Sequence, residues 1–149
     1  MRRGRLGLLR PLRLLKLLGL LGPLRVLGIM GIMGLWGCSG VSPEEAAALA
    51  AQGYYRHLAA GEYDKFLEGK AGADSLPEDY REQLLTGYRQ FMAQQQRAHQ
   101  GIREVQVSNA RTDSVAGYTS VFLILSFGDS IQEEIVVPMV EHDGRWRMK

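Results

Sequence analysis

The sequence predicts an α+β fold, with three helices ahead of an antiparallel sheet of about four strands. Three observations carry this. Between Ser42 and Arg97, apolar residues recur at three- and four-residue spacing, and after Gly101 the period changes to two. Helical and strand patterns are segregated along the chain. The part before Cys38 differs in kind: all seven of its basic residues fall in the first 25 positions, and no acid precedes Glu44.

That first part has a recognisable order. Arg2, Arg3, Arg5, Arg10, Arg13, Lys16 and Arg25 make a cationic region. Val26 to Gly37 is an uncharged run of 12 residues, and Cys38 follows Leu35-Trp36-Gly37. A run of that length is too short to span a bilayer as a helix, which takes about 20 residues. The arrangement resembles a bacterial lipoprotein signal, in which the cysteine is acylated and becomes the first mature residue. Small Gly37 suits the peptidase, while Trp36 stands where such signals carry a small or β-branched residue.

The resemblance implies a signal peptide over residues 1–37, lipidation of Cys38 (palmitate among the chains), a tether over 38–42 and a folded domain over 43–149. It implies a membrane partner reached through a lipid anchor, and a location in the bacterial cell envelope. Ser39 rather than Asp follows the cysteine, which favours an outer membrane site facing the periplasm. The cationic region is long, and Pro11 and Pro23 would break a helix through it. Translation from Leu24, with Arg25 as the cationic residue, is therefore expected. An uncleaved anchor helix is the alternative, and Arg10, Arg13, Lys16 and Arg25 oppose it because charges inside a bilayer are costly. Cys38 is the only cysteine, so the mature monomer has no disulfide. Acylation would also remove it as a nucleophile or metal ligand.

After Cys38, eleven Lys/Arg stand against sixteen Asp/Glu, a net charge of −5. The +2 of the whole chain comes from the leader. A mildly acidic domain is poorly suited to phosphate backbones, so no nucleic-acid partner is expected.

The elements follow in order. Ser42-Pro43-Glu44-Glu45 opens a helix, with Ser42 as cap, Pro43 at the first position and Glu45 in capping-box spacing. Its apolar face reads Ala46, Leu49, Ala50, Gly53, Tyr54, His57 and Leu58. Glu62 to Glu68 is a short helix with Tyr63, Phe66 and Leu67 inward, followed by a loop around Gly69 and Gly72. Ser75-Leu76-Pro77-Glu78 predicts another capping box, opening a helix whose buried stripe is Tyr80, Leu84, Tyr88, Phe91 and Met92. Strands then begin at Ile102, turn near Thr112-Asp113, and continue over Ala116 to Phe127. In that second strand Val121, Leu123, Leu125 and Phe127 share one face, and Tyr118, Phe122 and Ile124 the other. Gly128-Asp129 is a hairpin turn and Asp143-Gly144 the last turn, before Arg145-Trp146-Arg147-Met148. Pro138 lacks an amide hydrogen, which predicts an edge or a bulge there.

Tyr54-Tyr55 with Ala60-Gly61-Glu62-Tyr63-Asp64, and the closing run Val140 to Met148 through Asp143-Gly144, carry a second resemblance. The segment from Pro43 to Lys149 resembles the nuclear transport factor 2-like (cystatin-like) superfamily, and looks most like its small bacterial lipoproteins with a domain of unknown function. The resemblance implies a curved sheet cupping the helices around a cone-shaped cavity. Tyr54, His57, Tyr88, Phe91, Tyr118 and Trp146 are its candidate lining, although plain packing is the favoured reading of Tyr54, Tyr88, Phe91 and Trp146, and a core histidine or helix C-terminal charge that of His57. His99 and His142 fall near loops, where solvation is expected. Enzymes of the superfamily place an Asp or His base and Tyr donors in the cone. Here no acid stands alone in an apolar strand stripe, so no catalytic residue is assigned. Metal-ligand and phosphate-loop motifs are absent, so no metal or cofactor is expected. Three readings follow: a non-catalytic envelope lipoprotein binding a small ligand or envelope protein, a structural homodimer through the sheet face, and a pocket isomerase or hydrolase.

Overall fold

The computed structural model describes residues 40–149; the expected signal peptide and Cys38 lie outside them. Helix α1 (Pro43–Ala59) starts as its residues require. The Ser42 side chain accepts from the Glu45 N–H at 3.2 Å, and Pro43 costs nothing where a helical donor would be orphaned. Helix α2 (Tyr63–Glu68) follows, then a 3-10 turn (Ala73–Ser75) and the long helix α3 (Glu78–His99). Strands β1 (Ile102–Asp113), β2 (Tyr118–Phe127), β3 (Gln132–His142) and β4 (Arg145–Met148) form one antiparallel sheet in the order β1-β2-β3-β4. Beyond β4, Lys70 adds a single parallel bridge to Met148.

The passage from α3 to β1 shows why Gly101 is there. Gln100 closes the helix in the left-handed region (φ 61°), and Gly101 continues in it (φ 77°), where a Cβ is strained. Two register shifts in β1, at Ile102/Glu104 and Val107/Asn109, bend that edge strand. The alternation expected of β2 is present: Thr119, Val121, Leu123, Leu125 and Phe127 are buried, and the residues between them are partly open. Val137 and Met139 of β3 and Met148 of β4 extend the buried face. Each fully buried Leu, Val or Met contributes about 1.5–3 kcal/mol relative to exposure.

Helix α1 covers this face, but not with the stripe expected. Ala47, Ala48, Ala51 and Leu58 are buried, whereas Leu49 is 56% exposed. The stripe is rotated because alanines let the helix backbone approach the sheet closely, which decides the facing side more than the size of Leu49 does. The Gln52 side chain then reaches the Val105 carbonyl at 2.9 Å. At the other end Thr112 donates to Glu44 at 2.6 Å and lies 3.0 Å from buried Thr119, so a hydroxyl chain joins α1 to the sheet.

Helix α3 also departs from expectation. Ser75 belongs to the 3-10 turn, and the helix begins after Pro77 with no side-chain cap. Leu85 alone of its 22 residues is buried, and Tyr80 and Phe91 remain 49% and 44% exposed. With α1 seated on the sheet, Tyr55 and Phe66 fill the space beside it in an edge-to-face pair (5.3 Å), and α3 stacks outside on Phe66 through Tyr88 (4.9 Å). Pro138 is on an interior strand, not an edge. It is tolerated beside Met139, where the pairing with β4 begins, and its carbonyl accepts from the Lys149 N–H at 2.8 Å. No described helix is long and apolar enough to cross a membrane.

Candidate functional site

The residues that gather around open space do so where α1, α2, the start of α3 and β4 meet. Tyr54, in the fourth turn of α1, lies against Gly69 and donates its hydroxyl to the Trp146 carbonyl at 2.8 Å. His57, one turn later, has Nδ1 3.3 Å from the Glu62 carboxylate. Lys65 of α2 also pairs with Glu62, and its hydrogen bond, ahead of that of His57, holds the Glu62 carboxyl below its usual range. Arg81 of α3 and Arg145 and Arg147 of β4 complete a groove of ≈ 460 Å³, which Glu68 and Asp74 also line. Arg147 donates to the Glu68 carbonyl and approaches Asp74 at 3.4 Å; Arg81 approaches Asp64 at 3.4 Å. A second cleft of ≈ 750 Å³ continues past Asp74, Arg145 and Arg147 toward Ser75 and Glu141.

The six candidate lining residues separate. Tyr54 and His57 share the groove, and Trp146 lies behind Tyr54 against the core. Tyr88 is in the Phe66 stack, where burial pushes its hydroxyl pKa up. Phe91 is exposed on α3. Tyr118 is a correction: by the alternation of β2 it lies on the sheet face opposite the core, with the Lys149 ammonium 5.0 Å from its ring centre. These residues therefore do not converge on one cavity. His99 is not simply solvated either. Its Nδ1 is 2.8 Å from Asp129 and its ring packs on Phe127 at 5.2 Å, which joins the end of α3 to the β2–β3 turn. His142 is exposed, as expected.

The groove's cations were not anticipated. Their signal was present in Arg145-Trp146-Arg147: at strand period two, both arginines fall on one side and the Trp on the other. Arg81 carried no such signal, because only the folding of α3 onto α2 brings it there. Among the described residues, no group of three or more His, Cys, Asp or Glu is placed to hold a metal ion.

No family model and no curated protein matches the chain. Among solved structures it is similar to a Campylobacter jejuni protein named as a candidate NTF2-like transpeptidase, with TM-score 0.53 and 11% sequence identity, over 66% of this chain and 92% of that one. At that identity the likeness shows the fold. The described domain is α+β, with three helices and a four-stranded antiparallel sheet, and its fold is similar to that of this NTF2-like neighbour.

Proposed function

We propose that this chain is an envelope lipoprotein, anchored by acyl chains on Cys38, whose domain is a non-catalytic module binding a small ligand or an envelope protein. One observation carries the binding part. Polar and charged side chains from α1, α2, α3 and β4 are collected in a solvent-open groove around Tyr54 and His57. Chemistry of the isomerase kind depends on a base and an oxyanion donor in a water-excluded site. The transpeptidase in the structural neighbour's name does not transfer. Acyl transfer of that kind uses an activated nucleophile. The hydroxyl in the groove, that of Tyr54, donates to a backbone carbonyl.

The anchor rests on the sequence around Cys38, and the outer membrane's periplasmic face on Ser39. Native mass spectrometry of the protein from its own membranes tests both parts. The expected species begins at Cys38, carries acyl chains and retains a ligand or partner. Cys38→Ser is expected to keep the leader and lose acylation. A wild-type chain with an intact, unacylated leader would sink the anchor reading.

A second reading has its own observation. The outer sheet face carries Tyr118, Phe122, Ile124 and Val136 with no helix of the described residues over it, and Val136 is 54% exposed. A homodimer through this face would supply the missing layer. Sedimentation equilibrium decides it, because a monomer at all concentrations would exclude the dimer.

A further inference from the structure

The groove beside Tyr54 and His57 concentrates positive charge in an otherwise acidic domain. Lys65, Arg81, Arg145 and Arg147 are four of the eleven Lys/Arg that follow Cys38, and all four line this one space of ≈ 460 Å³. Glu68 and Asp74 are the acids in the lining, so the lining side chains sum to +2 with His57 neutral, against −5 for the chain after Cys38; Glu62 and Asp64, outside the lining, pair with Lys65 and Arg81. The cations arrive from α2, α3 and β4, so the tertiary fold gathers them.

Their pairing inside the protein is incomplete. The Arg147 and Arg81 side chains are only 17% and 26% exposed, yet their carboxylate partners, Asp74 and Asp64, are 82% and 68% exposed and stand 3.4 Å away. A well-made charge-assisted hydrogen bond is about 2.7–2.9 Å long. Arg145 makes no ion pair and no side-chain hydrogen bond among the described residues. Two partly desolvated guanidinium groups and a third without a partner therefore face the same space. An oxyanion placed there would meet a lower effective dielectric than on an open surface, and could replace two long contacts with short ones.

We propose that this groove binds a phosphate monoester, with Arg81, Arg145 and Arg147 as its charge partners. The charge selects the class. A phosphate monoester carries about −1.5 to −2 near pH 7, which matches the net charge of the lining, while a carboxylate or a phosphodiester brings a single charge. The space exceeds a phosphate group alone, and the part next to Tyr54 and His57 takes the remainder of the molecule. The inference deepens the binding reading above and rests on it for its place in the envelope.

The test uses the full chain extracted from its membranes, followed by ¹⁵N–¹H spectra at fixed ionic strength. Glycerol 3-phosphate is the monoester probe, and dihexanoylphosphatidylglycerol stands for a lipid headgroup. Glycerol 3-phosphate is expected to give saturable shifts at Arg145, Arg147 and the loop from Ala71 to Ser75. Arg145→Gln, which removes no ion pair or side-chain hydrogen bond among the described residues, is expected to weaken that binding about tenfold. Arg97→Gln, exposed on α3 away from the groove, is expected to leave it unchanged. Shifts that do not saturate, equal binding in the Arg145→Gln protein, or tighter binding of the phosphodiester would each overturn the proposal. Absence of phosphate binding in a chain still acylated at Cys38 and still holding a partner would remove this inference alone. Loss of both acylation and partner would remove the wider reading instead.

Discussion

The packing of α1 on the sheet can be tested with two substitutions that pull in opposite directions. Sequence periodicity put Leu49 in the buried stripe; the structure leaves it 56% exposed and places Ala47 and Ala51 at 0%. Leu49→Ala deletes roughly three methylene equivalents, worth about 0.8 kcal/mol each when fully buried. Less than half of the residue is covered, so the loss is about 1 kcal/mol. Were Leu49 in the core, the cost would be about 2–5 kcal/mol. Ala51→Leu adds the same volume where α1 meets the sheet, and overpacking of this kind costs about 1–3 kcal/mol. The stripe read from sequence makes Leu49→Ala the more damaging change, and the structure makes it Ala51→Leu. Equilibrium urea unfolding followed by tryptophan fluorescence measures both. In a chain cleaved before Cys38, Trp146 is the sole reporter, and it packs against the core. A Leu49→Ala loss above about 2 kcal/mol, or a neutral Ala51→Leu, would refute the close alanine contact.

Two further outcomes follow from contacts at either end of the fold. Gly69 has an ordinary φ of −71°, so an alanine there meets no backbone penalty, but its Cβ would fall 2.6 Å from Tyr54 Cγ. Gly69→Ala is therefore expected to destabilise by about 1–3 kcal/mol and to change Trp146 emission through the displaced Tyr54 hydroxyl; a stabilised variant would show that the ring moves freely. The Asp129 carboxyl is held below its ordinary 3.8, first by the hydrogen bond with His99 and further by the Ile131 N–H. A depressed carboxylate pKa gives stability that is complete above the unfolded value and is lost as pH falls through the folded one. The wild type should then lose urea resistance below pH 3.8 more steeply than Asp129→Asn, and parallel profiles would show that the pair contributes nothing there.

The sheet was legible because its signals are local. Alternation in Val121 to Phe127, the Gly128-Asp129 turn and the Asp143-Gly144 turn each act over a few residues, and all appear where expected. Helix positions were legible for the same reason, through Ser42-Pro43 and the change of period at Gly101. Helix faces were not. A 3.6-residue period shows that a helix has an apolar side, but several phases fit an alanine-rich segment, and the closest backbone approach selects one. In α3 the stripe was read correctly as apolar, yet whether it meets the sheet depends on what already occupies it. The site failed to appear for a related reason. Aromatic residues were sought because a cone needs lining, whereas the groove is built from Arg81, Arg145 and Arg147, which lie 64 and 66 positions apart in sequence and meet only after α3 has docked on α2.

The open face of the sheet poses a different question, namely how an apolar surface stays in water. Phe122 and Tyr118 are half-buried, although no helix of the described residues covers them. The Arg111 guanidinium lies 5.6 Å from the Phe122 ring centre and the Lys149 ammonium 5.0 Å from that of Tyr118. Cation–π attraction is worth about 0.5–1 kcal/mol at exposed sites, and the aliphatic stems cover apolar area while the charges stay hydrated. These two side chains act as a partial outer layer. Val136, beside Phe122 in the β2–β3 register, has no such cover. The proposed pairing of two sheets would therefore have to displace or accommodate Arg111 and Lys149 before it gained area around Val136. Their cation–π energy is lost only in part on displacement, since both charges can return to water. The face thus resists association at low concentration without forbidding it, which fits a reversible contact better than an obligate one.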